Sequence, residues 1–175
     1  ATDSVADWIE DLLQLEQAGW KGQRGTALAS DAGLVQASRE GLTAMAQAGK
    51  LHMWRLQLDG RTIAIIHAVA EGSRMWLGRM AYDEALARFS PGVLLILHVT
   101  ERLFAAGNIE LADSCAIPNH PMINNIWRDR LEAADVMLAP KSISAAHFSF
   151  MFQLERLRRM TRVMARDTYN YLTGR

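Results

Sequence analysis

The hydrophobic pattern of the chain changes period twice. Near the start, Val5, Trp8, Ile9, Leu12 and then Leu15 or Glu16 recur every three or four residues, which is one stripe of an amphipathic helix. Ser4 stands at its N-cap, with Asp7 three residues on near the positive helix end, and Gly19 stops it. Trp20 to Gly25 then reads as a Gly-rich basic loop with one large aromatic. Asp31 caps a second predicted helix, with Leu34, Leu42 and Met45 inward and Gly49 as its end. From His52 the period becomes two. His52, Trp54, Leu56 and Leu58 share one strand face, and Met53, Arg55 and Gln57 share the other. Asp59-Gly60 is a strong hairpin signal. Thr62 to Ala70 is apolar on both faces, as a central strand is. Glu71-Gly72-Ser73 turns the chain, and Arg74 to Tyr82 forms a third strand.

The helical period then returns. Phe89-Ser90-Pro91-Gly92 is a tight loop, Val93 to Ala106 a helix, Gly107 a turn, and Ile109 to Asp113 a buried strand. In that helix His98, Glu101, Arg102 and Ala105 fall on one side; the rest is apolar enough to pack on a sheet over most of its surface. After Pro118-Asn119-His120-Pro121 the pattern predicts a short helix from Met122 to Arg130, a short strand from Ala134 to Leu138, and a long helix from about Ala145 to Tyr171. The long helix has Phe150, Leu154, Leu157, Met160 or Thr161 and Met164 on its inner face. Glu155, Arg158, Arg159, Arg162 and Arg166 lie on its outer face. The order α-α-β-β-β-loop-α-β-α-β-α predicts an α/β (α+β) fold. An antiparallel meander followed by an α crossover gives a mixed sheet with helices on both faces.

Composition narrows the function classes. The 175 residues are half apolar and 22% charged, the proportions of a globular chain of about one domain. Formal net charge is zero, so no global field draws the chain to DNA or a membrane. The longest apolar run, Val93 to Leu97, is too short to span a bilayer. Cys115 is the one cysteine; no internal disulfide can form, and a reducing, cytoplasmic setting is expected. The chain starts at Ala1 without Met, which suggests a piece of a longer protein.

Several residues carry candidate chemistry, each beside a plainer reading. A Gly-ended loop entering a helix presents backbone N–H groups to an anion, here from Ser90, Gly92, Val93 and Leu94, with Arg88 adding charge; it is also an ordinary Pro-Gly helix entry. Asp113 ends a buried strand, where a carboxylate can serve as a base or bond a loop N–H. His120 sits on a rigid loop, as a base, a substrate contact or a surface residue. Tyr82 ends the third strand and can give a proton. Trp20, Lys21 and Arg24 form a cationic loop with an aromatic plate, fit for an acidic or sugar acceptor or simply solvated. Cys115 reads as a buried, inert thiol, and as a nucleophile only with a base close by. His67, on an apolar strand, reads as a core histidine with its hydrogen bonds satisfied. The histidines lie at no metal-ligand spacing, so no metal is expected. The arginines of the last helix mark a solvated face or an interface with a partner subunit or domain.

The element order, with Glu16 to Gly22 (EQAGWKG), Leu51 to Gly60, Ile63-Ala64, Ala81 to Glu84 (AYDE), Arg88 to Leu95 (RFSPGVLL) and Asp113, resembles the GNAT acetyltransferases, and within them the CelD/BcsL-type domain related to peptidoglycan-bridge aminoacyltransferases. The resemblance covers most of residues 1–140, leaving 141–175 as an amphipathic helix that packs on this domain or on a partner. It implies acetyl-CoA or another acyl-CoA as co-substrate, its pyrophosphate at Arg88, Phe89, Ser90, Gly92, Val93 and Leu94. The pantetheine amides would lie against the backbone of Gly78, Arg79 and Met80, though a glycine at 78 equally marks a plain β-bulge, and an N–H near Met80 or Ala81 would polarise the thioester carbonyl. It implies N- or O-acetyl transfer to a small-molecule or saccharide acceptor by direct attack, in polysaccharide or cell-envelope biosynthesis. An upstream GNAT-like domain or a homo-oligomer partner on the last helix is also expected. A catalytically silent binding module and an aminoacyl-tRNA-dependent transferase are the alternatives. The usual GNAT phosphate loop carries two small residues; this one keeps Gly92 and has Pro91, which lacks an N–H.

Overall fold

A computed structural model describes residues 4–117, 119–134 and 136–173. It contains two compact units, residues 1–130 and 131–175. In the first, helix α1 (Val5–Ala18) starts at a capping box: Asp7 N–H donates to Ser4 Oγ, and Ser4 N–H donates to Asp7 Oδ2 at 2.8 Å. A one-turn helix α2 (Trp20–Gln23) replaces the expected loop. Helix α3 (Ala32–Gln47) begins at Asp31, whose carboxylate accepts from the N–H groups of Gly33 and Leu34. Its sheetward stripe differs from the expected one. Val35, Ser38, Leu42 and Ala46 are half-buried, whereas Leu34 and Met45 are exposed, because the stripe is rotated by one position.

Strands β1 (Leu51–Leu58), β2 (Arg61–Glu71) and β3 (Arg74–Tyr82) form the antiparallel meander, and β4 (Leu111–Asp113) joins β3 in parallel, in the order β1-β2-β3-β4. Asp59 and Gly60 both take positive φ, the two-residue hairpin turn their types favour. Strand β4 is shorter than expected. The N–H groups of Glu110 and Leu111 share the Ser73 carbonyl, so the ladder begins only at Leu111.

Between β3 and β4 run a 3-10 turn (Glu84–Phe89) and helix α4 (Pro91–Ala106), closed by Gly107 in the left-handed region. Helix α4 packs one sheet face with Leu95, Ile96 and Val99 against Ala64, Ile66, Ala68, Met75 and Leu77. Helices α1 and α3 cover the other face, where Leu12, Ile65 and Ala81 meet Trp8, Leu15, Leu42 and Met53. Leu94, Leu97 and Phe104 are exposed, so α4 buries one stripe rather than most of its surface. The helix expected from Met122 to Arg130 is a single turn, α5 (Ile123–Ile126). The chain leaves the helix at Trp127, which is extended (φ −105°, ψ 108°) and whose indole N–H donates to Thr100 Oγ1 on α4 at 2.9 Å.

The second unit is dominated by helix α6 (Ala145–Thr173), where Glu155 pairs with Arg158 and Arg159 at one-turn spacing. Residues 134 and 136–138 form no strand and pair with no second segment among the described residues. Pro118 and Asp135 lie outside the described residues, as do the side chains of Arg166 and Tyr171.

A candidate active site at the fork between two strands

The functional candidates gather where β3 leaves β4. The two strands pair at Arg74↔Leu111, Met75↔Ala112 and Trp76↔Asp113, and nowhere further among the described residues. Leu77 to Tyr82 therefore runs on with one backbone edge free of a strand neighbour. Asp113 stands at the point of the fork. Its Oδ1 accepts from Cys115 N–H at 2.8 Å, the loop-bonding role, and its Oδ2 has no bond among the described residues. The Cys115 side chain is exposed, and its thiol pKa is raised, first by desolvation and then by the Asp113 charge; it is not an activated nucleophile.

Beyond the fork β3 carries a bulge. Ile66 faces Met80 and Ala68 faces Leu77, so Gly78 and Arg79 together oppose the single residue His67. The His67 ring fills the space a Gly78 Cβ would occupy, 2.0 Å from its Cε1, so only glycine fits there. His67 Nε2 accepts from the Arg79 N–H at 2.9 Å. Burial, then the Arg79 charge, hold the His67 pKa below its ordinary value, with Glu16 opposing them. The neutral ring thus carries its proton on Nδ1, which is buried without a partner among the described residues, so this core histidine is only half satisfied. An unmade bond of that kind costs about 1–3 kcal/mol.

The Arg79 guanidinium reaches across to α1. Glu16, with a side chain only 1% exposed, accepts from Arg79 Nη1 at 2.7 Å and Lys21 Nζ at 2.9 Å through Oε1, and from Leu28 N–H at 2.8 Å through Oε2. Lys21 Nζ also donates to the Met80 carbonyl at 3.2 Å. Burial alone would raise the Glu16 pKa, but the bonds from Leu28, Arg79 and Lys21 outweigh it and hold the carboxyl below its usual range. Trp20 N–H donates to Glu84 Oε1 at 2.6 Å, and the Arg24 guanidinium lies 5.1 Å from the Trp20 ring centroid. Trp20, Lys21, Met80, Tyr82 and Glu84 line one small gap of about 20 Å³. A cavity of about 510 Å³ lies elsewhere, between α1 and the β1–β2 hairpin, where Arg55 is paired with Asp11 and Arg61 with Asp83.

At the far end of β3, Met80 and Tyr82 meet the first turn of α4. A Cβ on Gly92 would lie 3.2 Å from Met80 Cε and 3.4 Å from Tyr82 Cδ1. Ser90 takes φ 52° and makes no side-chain cap. The loop offers fewer donors than its sequence suggests. Ser90 N–H is bonded to Ala87 O and Leu94 N–H to Ser90 O, which leaves those of Gly92 and Val93. Arg88 lies over the Phe89 ring, 4.5 Å from its centroid, and both side chains are exposed. These groups fit a phosphate: two convergent N–H groups, a helix N-terminus and a guanidinium.

The fold thus brings together Gly78, Arg79, Met80, Tyr82, Gly92, Trp20 and Lys21, and sets Asp113 and Tyr82 on opposite sides of the bulge. His120 lies on the loop after β4, where its Nδ1 accepts from the N–H groups of Met122 and Ile123 at 3.3 Å. Sequence reasoning missed the clamp on Glu16 and the wedge at His67. Glu16 alternates with Leu15 on an apolar stripe, and a charged residue on such a stripe is the signal that was available. No group of three or more metal-ligating side chains occurs among the described residues.

Comparison with known proteins follows the same lines. Residues 1–118 match the acetyltransferase (GNAT) domain family. A search of curated proteins finds no match. Among solved structures, a possible acetyltransferase from Clostridium difficile 630 superposes with TM-score 0.58 at 14% identity, over 81% of this chain and 95% of that one. The aminoglycoside antibiotic 6'-N-acetyltransferase AAC(6')-IG from Acinetobacter haemolyticus gives 0.52 at 19%, over 81% and 97%. The PaiA N-acetyltransferase from Thermoplasma acidophilum, in complex with coenzyme A, gives 0.51 at 13%, over 70% and 81%. At such identities the likeness is one of fold. With two thirds of its length matched and the forked sheet in place, the chain belongs to the GNAT acetyltransferase domain family.

Proposed function

We propose that the chain transfers an acyl group, acetyl first among them, from an acyl-CoA to an amine or hydroxyl by direct attack. The observation that carries this reading is the fork: past Trp76↔Asp113 the β3 edge away from β2 has no strand neighbour among the described residues, and that stretch ends with Met80 and Tyr82 against Gly92, in the first turn of α4 where the Gly92 and Val93 N–H groups are free. A pantetheine arm is a linear chain of amides, so an unpaired strand edge suits it as a sheet neighbour. Its pyrophosphate would lie on the first turn of α4, with Arg88 beside it.

The acceptor attacks the thioester carbonyl, the C–S bond breaks, and the thiolate leaves. A backbone N–H near Met80 or Ala81 would stabilise the oxyanion. The proton of the acceptor goes to Asp113, or a water on its open Oδ2, if the thioester lies at the fork; if it lies at the α4 end of β3, Tyr82 gives a proton to the thiolate. Six strand residues, roughly 20 Å, separate Tyr82 from the Trp76↔Asp113 pair, so one of the two serves the reaction and solvent exchanges the other proton. The CelD/BcsL-type resemblance supports a saccharide acceptor in polysaccharide or cell-envelope synthesis, with an upstream GNAT-like domain or an oligomer partner on α6.

Thiol release from acetyl-CoA, followed with amino-sugar and polyol acceptors, tests the reading. Tyr82→Phe should lower kcat by about 10²-fold if the thioester lies at the α4 end of β3. A second reading, a silent binding module, draws on the loop, which offers two N–H donors rather than four. It would replace the first if acyl-CoA bound and no acceptor, with any acyl-CoA, released thiol. Turnover only with aminoacyl-tRNA would point to the peptidoglycan-bridge type of chemistry.

A further inference from the structure

The bulge decides which side chains face the phosphate loop. Before it, Met75 and Leu77 point to the α4 face of the sheet; after it, Met80 and Tyr82 do, and Ala81 points to α1. The parity has flipped by one residue, as a single inserted residue requires. Without the bulge, Arg79 and Ala81 would face α4, and Met80 and Tyr82 would turn away from Gly92.

What holds the bulge is a side chain. His67 is the lone β2 residue opposite Gly78 and Arg79, its ring lies in the space above Gly78, and its Nε2 takes the Arg79 N–H. That N–H would otherwise lack a ladder partner on β2. Packing alone would be met by the Ile or Val that fill the neighbouring positions of β2. An imidazole here carries instead an Nδ1–H unpartnered among the described residues, and what it adds is the acceptor. Arg79 is then fixed twice, by His67 at its backbone and by Glu16 at its guanidinium.

We infer that His67 is a positioning residue for acyl transfer. It sets the Gly78–Arg79 bulge, and through it the placement of Met80 and Tyr82 against the first turn of α4. The inference rests on the acyl-transfer reading for its kinetic consequence, but not for its structural one. The groups that face the ring are Arg79 on β3 and Glu16 on α1; Met53 is its neighbour on β1.

The test uses the full chain and three variants, His67→Gln, His67→Leu and Gly78→Ala. Gln retains an acceptor of similar reach, Leu removes it at similar volume, and Gly78→Ala pushes the ring out while leaving it in the sequence. Nitrogen NMR of the wild type should find the Nδ1–H tautomer of His67 and a protected Arg79 amide. Contacts between the Tyr82 ring and Gly92 should also be present. His67→Leu and Gly78→Ala should lose the Arg79 protection and the Tyr82–Gly92 contact. Their kcat should fall about 10- to 100-fold with the KM of the acceptor unchanged, as a misplacement near 1 Å produces. His67→Gln should recover most of both at a stability no higher than that of His67→Leu. Equal kcat and equal Arg79 protection in wild type and His67→Leu would overturn the inference. So would a His67→Gln variant no better than His67→Leu. If the wild type turns over no acyl donor, the functional reading fails, and the NMR contacts alone decide the role of His67. If a variant does not fold, the wild-type tautomer and Arg79 protection decide it: an Nε2–H tautomer or an exchanging Arg79 amide contradicts the assignment.

Discussion

Two side chains connect the sheet to what surrounds the fork, and both favour neutral pH. Glu16 is ionised and bonded by Arg79, Lys21 and Leu28, with its pKa held down in the folded chain. Its contribution is therefore complete above the unfolded carboxyl pKa of about 4.3 and is lost as pH falls through the lower folded value. His67 is neutral when folded and its pKa is also depressed. Below its unfolded pKa of about 6.5 the unfolded state binds a proton the folded state refuses, so stability falls there first. Urea unfolding from pH 8 to 3 should show a decline beginning near pH 6.5, absent in His67→Gln, and a steeper one below about pH 4.5, reduced in Glu16→Gln. A wild-type curve flat between pH 7 and 5 would remove the buried histidine from this account. Neither role was legible in the sequence. A histidine on an apolar strand reads as core, and the residue it faces across a bulge depends on a register the sequence does not print. The triplet Trp20-Lys21-Gly22 was visible, but not that Lys21 would turn inward to Glu16 and Met80.

Elements were read better where local chemistry decides them. Ser4 with Asp7, Asp31, Asp59-Gly60 and Gly107 lie where the structure starts, turns or stops an element, because caps and turns act within a few residues. Readings failed where a distant partner decides. The α3 stripe depends on the angle at which the helix meets β1, α5 ends where the Trp127 indole bonds Thr100 on α4, and residues 134 and 136–138 have no ladder among the described residues. Helix α3 has no fully buried residue, so its start leans on Asp31 more than a core helix would. Asp31→Ala should cost about 1 kcal/mol by urea midpoint and speed amide exchange at Gly33 and Leu34, with acyl-CoA binding unchanged. A loss under about 0.2 kcal/mol would mean that packing, not the cap, fixes the helix.

At the scale of the molecule, the family match to residues 1–118 falls inside the unit of residues 1–130, and the sheet, the fork and the first turn of α4 all belong to it. The mixed sheet with helices on both faces was legible because a meander followed by a crossover allows few other arrangements. The fork was not, since it comes from where β4 stops pairing. The central claim is that this fork, with the first turn of α4, holds an acyl-CoA. Thermal unfolding of the full chain with and without acetyl-CoA tests it most directly. At a hundredfold excess over the dissociation constant the account predicts a stabilisation of about 2.7 kcal/mol, largely abolished by Gly92→Leu, whose side chain would press on Met80 and Tyr82 at the first turn of α4. No shift with acetyl-CoA or any other acyl-CoA, or a shift that Gly92→Leu leaves untouched, would contradict it.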